Sequence, residues 1–443
     1  MNFESLANVL SNIEHKTLLF KFNPSVPDFT VKDSECELQL VFPDKTNVQI
    51  ILKSETLPLI ISMLHISLFI KDVKILAWDW KSFVSYILGK TGKYIKIDAS
   101  IIDLKVIEQC NGIYKNAPDS YLEAINRTRG LIASGQWSDT ESLYKQIYLP
   151  LMTDVLPSLE TIGIIDTDLG KKVFAHYEIN GQENGRLKCF GAYQNSFNPH
   201  TIGPEAKKSL RPVGYDSLFM SFDFKGMEVF VLAHLSKDEN LSNMCQTEDI
   251  YLSLGKALFG TDKEKNDREL TKKCFLPVIY GQSARSLSQR CGIAPDVSER
   301  VVEQISSLFS KALSFVAEHE QRLKKDGFIK DVFGKRRSSF ESGKEYLARN
   351  FSVQSPAATI CLEKLIKLHY SLSNLNQFLK HKAQIAYTVH DGYVVYMTKD
   401  NWKEVLKKGL EVLTSESEIC PGLKLKVSCK GGKSLDDLKI IKR

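Results

Sequence analysis

The chain has 443 residues, 43% of them hydrophobic and 25% charged, the composition of a folded protein of two or three domains and not of a disordered one. Its 59 Lys and Arg against 53 Asp and Glu leave a formal charge of +6, which neither demands nor opposes a nucleic-acid partner. The longest apolar stretch, Leu57 to Ile70, is broken by Pro58, Ser62, His65 and Ser67 and falls short of the ~20 residues a bilayer crossing needs, so no membrane is expected. The opening residues carry Glu4 and lack the basic charge and apolar core of a secretory signal, which points to the cytoplasm. If the source is viral this is the cytosol of a bacterial host, and an organelle is left open. The nine cysteines form no C-x-x-C pair and read as reduced thiols rather than a disulfide or zinc framework.

In chain order, Thr17 to Phe22 is apolar and β-prone, and Cys36–Phe42 and Val48–Leu52 alternate on either side of a Pro-Asp-Lys-Thr-Asn turn, which predicts a hairpin. A helix-length apolar segment over 57–70, a strand over Val73–Ala77 and a helix from about Lys81 follow, so residues 1–115 read as a mixed-sheet unit. The polar interval 116–142, with Pro118, Gly130 and Gly135, predicts a helical connector. From Leu143 on, long helical windows alternate with strands, giving an α/β and α+β multidomain chain whose last unit spans 143–443. Apolar residues at Val302, Ile305, Leu308, Phe309, Leu313, Phe315 and Val316 predict one amphipathic helix over Val301–Lys325. Another is predicted over Tyr346–Asn374, and strands over Leu218–Phe222, Ile385–Val389 and Tyr393–Met397.

Three segments carry chemistry. In Ser221–Ser236 a buried strand ends at Asp223 and changes to a helical period carrying Glu228; an acid there is also what a helix N-cap requires. In Tyr387–Tyr396 the pair Asp391-Gly392 sits between alternating strands, where a tight hairpin turn explains it and His390 can be a packing residue. Between them Arg268, Lys272, Leu276 and Tyr280 recur every four residues and share one helix face. Two cations beside an aromatic ring suit an incoming nucleoside triphosphate, whereas a solvated basic helix accounts for the cations but not for Tyr280 and Gly281.

Taken together and in order, these segments resemble the family A DNA polymerases, the group of bacterial DNA polymerase I and phage replicases, over residues 143–443. Motif A resembles Asp223–Ser236, motif B resembles Arg268–Gly281, and motif C resembles His390-Asp391. Ile147–Asp166 resembles the approach to the palm, and Asn184-Gly-Arg186-Leu the element that reaches the primer–template minor groove. Gly327–Arg337 resembles a fingers segment, and Asn350–Gln354 the helix that touches template or primer. The resemblance implies a palm, fingers over about 240–345, and template-directed transfer of a nucleotide from a dNTP to a primer 3′-OH. Two Mg²⁺ ions, with Mn²⁺ as a substitute, are then expected on Asp223, Asp391 and the backbone carbonyl of Phe224. Around the dNTP it implies Arg268, Lys272, Leu276, Tyr280, Tyr251 and Glu228, the last excluding a 2′-hydroxyl. Around primer–template DNA it implies Arg186, Asn350, Gln354, His390, Arg336 and Arg337.

Departures from the family are equally specific. Gly392 stands where motif C usually has a second carboxylate, and Leu276 stands at the sugar-facing aromatic position. Pro277 behind it predicts a kinked or interrupted helix. Gly226 and Tyr251 replace a frequent Gln and His. Only 18 residues separate Asp166 from Gly185, about 27 Å if wholly helical, too short for the paired helices of a thumb. An absent thumb implies low processivity and a protein partner in its place, with Lys207, Lys208, Arg211 and Lys335 as further DNA grip. The first unit, 1–115, is similar to the family's 3′–5′ exonuclease, of ribonuclease-H-like fold. Phe20-Lys21-Phe22 replaces its first-strand Asp-x-Glu, Phe83 replaces a metal-binding Asp, and Asp98 and Asp103 remain. The expectation is therefore a degenerate domain without proofreading. Two other readings are a single-subunit RNA polymerase-like enzyme, and a catalytically silent polymerase-like subunit that binds DNA or a partner.

Overall fold

The computed structural model describes residues 17–23, 36–69, 73–95, 97, 99–161, 165–166, 172–191, 196–259, 264–338 and 344–441. The alternation of the first fifty residues folds into an antiparallel meander of β1 (Thr17–Asn23), β2 (Cys36–Val41) and β3 (Asn47–Leu52). On the other side of β1, β4 (Lys74–Trp78) and β5 (Ser100–Asp103) add in parallel, giving the order β3-β2-β1-β4-β5. The connections are helical: α1 (Leu57–Ser67), with Pro58 in its first turn where no donor is lost, and α2 (Trp80–Thr91). α3 (Leu104–Cys110) follows β5 directly, its N-terminus capped by Asp103, which accepts from Val106 N at 3.2 Å.

Phe20 and Phe22 point to the same side of β1, as the two-residue period requires, and the ring of Phe83 from α2 packs between them. The centroids lie 4.8 Å and 5.7 Å away. Trp80 and Phe69 complete this buried cluster. Asp98 lies outside the described residues.

α4 (Tyr121–Ala133) and α5 (Gln136–Leu143) occupy the expected connector. The helix then continues through wider turns at Tyr144–Tyr148 and Leu151–Val155, either side of Pro150, which cannot donate to an α ladder, into α6 (Leu156–Thr161). Here the first unit is fastened to the rest of the chain. The buried Lys81 ammonium lies 2.6 Å from Glu160 Oε1 and 2.7 Å from the carbonyl of Tyr177, and Ser85 donates to Glu160 Oε2 at 2.6 Å.

Short strands follow: β6 (Ile165–Asp166) pairs with β7 (Lys172–Val173), and β8 (His176–Glu178) with β9 (Lys188–Phe190). Among the described residues between Asp166 and Gly185 there is no helix. After α7 (Pro204–Ser209) and β10 (Arg211–Pro212), β11 (Ser217–Phe224) enters the centre of a second sheet, leading into a helical lobe. That lobe comprises α8 (Met227–Ser236), α9 (Glu239–Gln246), α10 (Ile250–Phe259), α11 (Glu264–Ile279), α12 (Ala284–Cys291), α13 (Pro295–Leu308) and α14 (Ser310–Asp326).

The single helix expected over 301–325 is thus two, broken at Phe309 (φ −124°, ψ 45°). The ring of Phe309 is buried against Phe275, 5.4 Å between centroids, and Asp238, the N-cap of α9, also accepts a donor from the first turn of α14. One carboxylate oxygen accepts from Leu241 N of α9 at 3.0 Å, the other from Ala312 N of α14 at 3.1 Å. β12 (Ile329–Lys330) and β13 (Arg336–Arg337) form a small hairpin before α15 (Leu347–Leu375), which is buried along most of its length. β14 (Gln384–Val389), β15 (Gly392–Thr398), α16 (Trp402–Thr414), β16 (Val427–Gly432) and β17 (Lys439–Ile440) complete the chain, and the second sheet is antiparallel with order β14-β15-β11-β16-β17. No helix among the described residues is long and apolar enough to cross a membrane.

Candidate active site

β11 ends in Phe222-Asp223-Phe224. Both rings are buried, so the strand period turns Asp223 to the opposite, open face. Gly226, at φ +64°, then reverses the chain into α8 within two residues, a conformation that glycine adopts without strain. On the neighbouring strand the expected Asp391-Gly392 turn is displaced by one residue. Val389 pairs with Gly392, so the loop is His390-Asp391, with His390 in the left-handed region at φ +49°. Gly392 belongs to β15 and is needed for close approach: a Cβ there would lie 2.9 Å from the carbonyl oxygen of Phe222 and 3.2 Å from Asp223 Oδ1. Asp223 and Asp391 consequently stand side by side, and Phe224 N donates to the carbonyl of Asp391 at 3.2 Å.

Both carboxyls are raised above the usual range, first by burial. At Asp223 the nearby Lys430, Lys272 and His390 oppose the rise; at Asp391 Arg186 opposes it and Asp223 adds to it. Over them opens a cleft of about 530 Å³, whose walls include Phe224, Glu228, Tyr251, Arg268, Lys272, Leu276 and His390. The four-residue face of α11 is therefore real, but its members are engaged differently. Arg268 Nε donates to Asp249 Oδ2 at 2.7 Å, its guanidinium also pairs with Glu269 at 3.0 Å, and it lies 5.9 Å from the centroid of Tyr251. Lys272 is exposed to the cleft.

Tyr280 is buried and its hydroxyl donates to Glu228 Oε2 at 2.8 Å. Arg186 meets the other oxygen of Glu228 at 2.8 Å and lies 3.7 Å from Asp391 Oδ1, while Gln354 Nε2 is 3.5 Å from Glu228. The interruption expected at Pro277 does not occur, because the proline falls in the last turn and α11 ends two residues later at Ile279. The carbonyl it leaves without a helical donor, that of Lys273, accepts from the Arg290 guanidinium of α12.

Asn350 sits on α15, its Oδ1 buried without a hydrogen-bond partner among the described residues. Three residues expected at DNA are engaged or buried within the chain. Arg336 is bound to Asp139 at 2.6 Å and Arg337 to Glu183, so neither guanidinium is brought to the cleft. Lys335 is only 3% exposed, lies 5.8 Å from the Tyr148 centroid, and burial depresses its pKa; it has no surface to offer a phosphate. Sequence reasoning also missed Asp249 and His200. His200 stacks on His390 at 5.0 Å, and burial, with His390 and Arg186 adding, brings its pKa down to about 4. Nothing in the local sequence signals either contact. Lys426, Ser428 and Lys430, which line the cleft from β16 and the residue before it, were also missed, although their two-residue spacing is visible in the sequence.

Comparison with known proteins places this geometry. The model of DNA polymerase family A matches residues 150–437. The chain is 27% identical over 223 residues to the thermostable DNA polymerase I of Thermus aquaticus, an alignment covering 47% of this chain and 26% of that protein. It is 25% identical over 304 residues to DNA polymerase theta of Caenorhabditis elegans, covering 67% of this chain and 18% of the other. The first of these alignments thus spans about a quarter of the relative's length. Among solved structures, the POL domain of Pol1 from M. smegmatis, in complex with DNA primer-template and dNTP, superposes with a TM-score of 0.76 at 16% identity, covering 99% of both chains. That likeness establishes the fold. Since the family model runs across both carboxylate-bearing strands and the basic helix between them, the chain belongs to DNA polymerase family A.

Proposed function

We propose that the chain carries out template-directed DNA synthesis, joining a dNTP to a primer 3′-OH with release of pyrophosphate. The observation that carries this reading is the convergence of Asp223 and Asp391, from strands far apart in sequence, beneath the cationic face of α11. Among the described residues no three-residue cluster of metal-binding side chains occurs. Two adjacent acids raised by burial, with open space above, suit Mg²⁺, which is commonly held by one or two carboxylates and completed by substrate phosphates and water. Two Mg²⁺ ions, or Mn²⁺ in their place, would be held by Asp223, Asp391 and the carbonyl of Phe224, and would supply charge stabilisation at the attacking 3′-oxygen and the leaving pyrophosphate.

The protein's own part is positioning. Lys272 and Arg268 would receive the triphosphate, Arg268 exchanging Asp249 and Glu269 for phosphate oxygens. Leu276 and Tyr251 would wall the sugar and base. Glu228, held by Tyr280, Arg186 and Gln354, would bar a 2′-hydroxyl. Arg186, His390, Gln354 and Asn350 line the side on which a primer–template would lie. The second sheet is then the palm and the helical lobe the fingers. The interval in which the thumb was expected holds only β7, β8 and turns among the described residues, which supports the thumbless reading.

The first sheet, three antiparallel strands extended by two parallel ones, supports the ribonuclease-H-like, exonuclease-derived reading of residues 1–115. Where that enzyme needs converging carboxylates, Phe20, Phe22 and Phe83 pack into one another. This favours a domain without proofreading. The test is extension of a labelled primer on a template with Mg²⁺, comparing dNTPs with NTPs. dNTP-dependent extension that Asp391→Asn abolishes, with the unfolding midpoint unchanged, is the expected result. Extension with NTPs alone would indicate an RNA polymerase, and DNA binding without extension a silent subunit.

A further inference from the structure

The sheet side of the cleft carries cations that the face of α11 does not account for. β16 alternates, with Cys429 buried and Ser428 and Lys430 on the other face; Lys426 precedes the strand in the same alternation. Ser428 pairs directly with Asp223, and Lys430 pairs with Ser221. Directly opposed residues of an antiparallel pair share a face, and diagonal neighbours about 7–8 Å apart are within reach of long side chains. Asp223 is therefore flanked by Asp391 on one side and by the Lys426, Ser428, Lys430 row on the other. All three residues of that row line the same cleft as Lys272 and Arg268.

Lys426 is partly engaged, donating to the carbonyl of Thr247 and lying 5.8 Å from the Phe230 centroid. Lys430 is exposed and forms no ion pair among the described residues. On the facing helix Arg268 is already neutralised by Asp249 and Glu269, leaving Lys272 as the exposed cation of that face. A triphosphate entering between the two walls meets Lys272 from α11 and Lys430 from β16, with the exposed Lys225 of the loop after β11 lining the same cleft.

We propose that Lys430, seconded by Lys426, is a phosphate-binding residue of the nucleotide site, gripping the triphosphate of the incoming nucleotide, and the pyrophosphate after transfer, from the sheet side. The assignment rests on the nucleotidyl-transfer reading of the same cleft. It is tested on the full chain with Lys430→Ala and Lys430→Arg, by single-nucleotide incorporation on a primed template and by binding of a fluorescent dATP analogue. Lys430→Ala is expected to raise KM for the dNTP about ten- to a hundredfold, the loss of one charge-assisted contact. kcat should change much less, the analogue should bind correspondingly weaker, and Lys430→Arg should recover most of both. Primer–template affinity, read by anisotropy, should stay within about twofold, since one surface cation is removed from a site that faces the nucleotide.

An unchanged KM and unchanged analogue binding in Lys430→Ala would overturn the proposal, as would a loss confined to DNA affinity. Failure of the wild type to extend primers, with nucleotide binding still lost in Lys430→Ala, would remove the polymerase reading and leave this site standing.

Discussion

Replacing Gly392 with alanine is expected to slow nucleotide addition about tenfold. The added Cβ would sit 2.9 Å from the backbone oxygen of Phe222. Restoring an ordinary contact of ~3.4 Å requires β15 to move about 0.5 Å away from β11, and these two strands set the spacing of Asp223 and Asp391. With a misplacement of ~1 Å costing about 10²-fold, 0.5 Å corresponds to about tenfold in kcat, with about 1–3 kcal/mol of lost stability from overpacking. Gly392→Glu restores the carboxylate that motif C usually carries, yet it requires the same displacement. It also adds a third negative charge beside two carboxyls already raised by burial. It should therefore be slower than Gly392→Ala. Single-turnover extension at saturating dNTP, with unfolding midpoints measured in parallel, reads both effects. A Gly392→Glu protein as fast as the wild type, or an unchanged rate in Gly392→Ala, would refute the close-approach argument.

Lys81→Met should cost about 3–5 kcal/mol in denaturant unfolding, because Glu160 would keep a buried charge without its ion-pair partner; the double variant Lys81→Met/Glu160→Gln should lose less, and a double variant worse than the single one contradicts the assignment. Burial, with Asp79 adding, raises the Asp103 carboxyl to about 6. The folded chain thus retains a proton that the unfolded chain releases near 3.8, so the stability from Asp103 is largest in acid and declines as pH rises from about 4 to about 6. The gap in unfolding midpoint between wild type and Asp103→Asn should move across that window and stay flat above it; a gap that instead moves between pH 7 and 8 would be inconsistent. On the thumbless reading few cations hold the duplex, so extension in the presence of a DNA trap should stop after a few nucleotides and weaken steeply with salt. Long single-encounter products from the purified chain would contradict the thumbless reading.

Features that follow from local periodicity were legible in the sequence. The strand that carries Asp223 and the four-residue face of α11 follow from a two- or four-residue spacing and lie where they were expected, and the hairpin that presents Asp391 differs from expectation by one residue in its turn. The break at Phe309 was illegible because the apolar period continues in phase on both sides of it, and the cause is tertiary: a ring drawn into the core and a carboxylate from another helix. The fates of Lys335, Arg336 and Arg337 were hidden for a related reason. Whether Arg336 and Arg337 face solvent or an acid of the same chain depends on Asp139 and Glu183, more than 150 positions away. Phe20, Phe22 and Phe83 were readable one by one as apolar residues, but not as one packed aromatic cluster. The row Lys426, Ser428, Lys430 does have a sequence signal, a polar alternation in the last strand-forming stretch, which becomes informative only once β16 is seen to lie beside β11.

The fastening between the first sheet and α6 bears on inheritance. Glu160, with 1% of its surface exposed, receives donors from Lys81, Ser85 and the backbone of Tyr177, two of which belong to α2. A lineage that trimmed α2 away would strand an ionised carboxylate in the helix leading towards the second sheet. Restoring stability would then take a coordinated change at Glu160 in the same generation. Single-step deletion is thereby closed off, whatever becomes of any chemistry at the ends of β4 and β5. The attachment of the first sheet thus rests on a buried ion pair rather than on apolar packing alone, and acts as a ratchet against its loss.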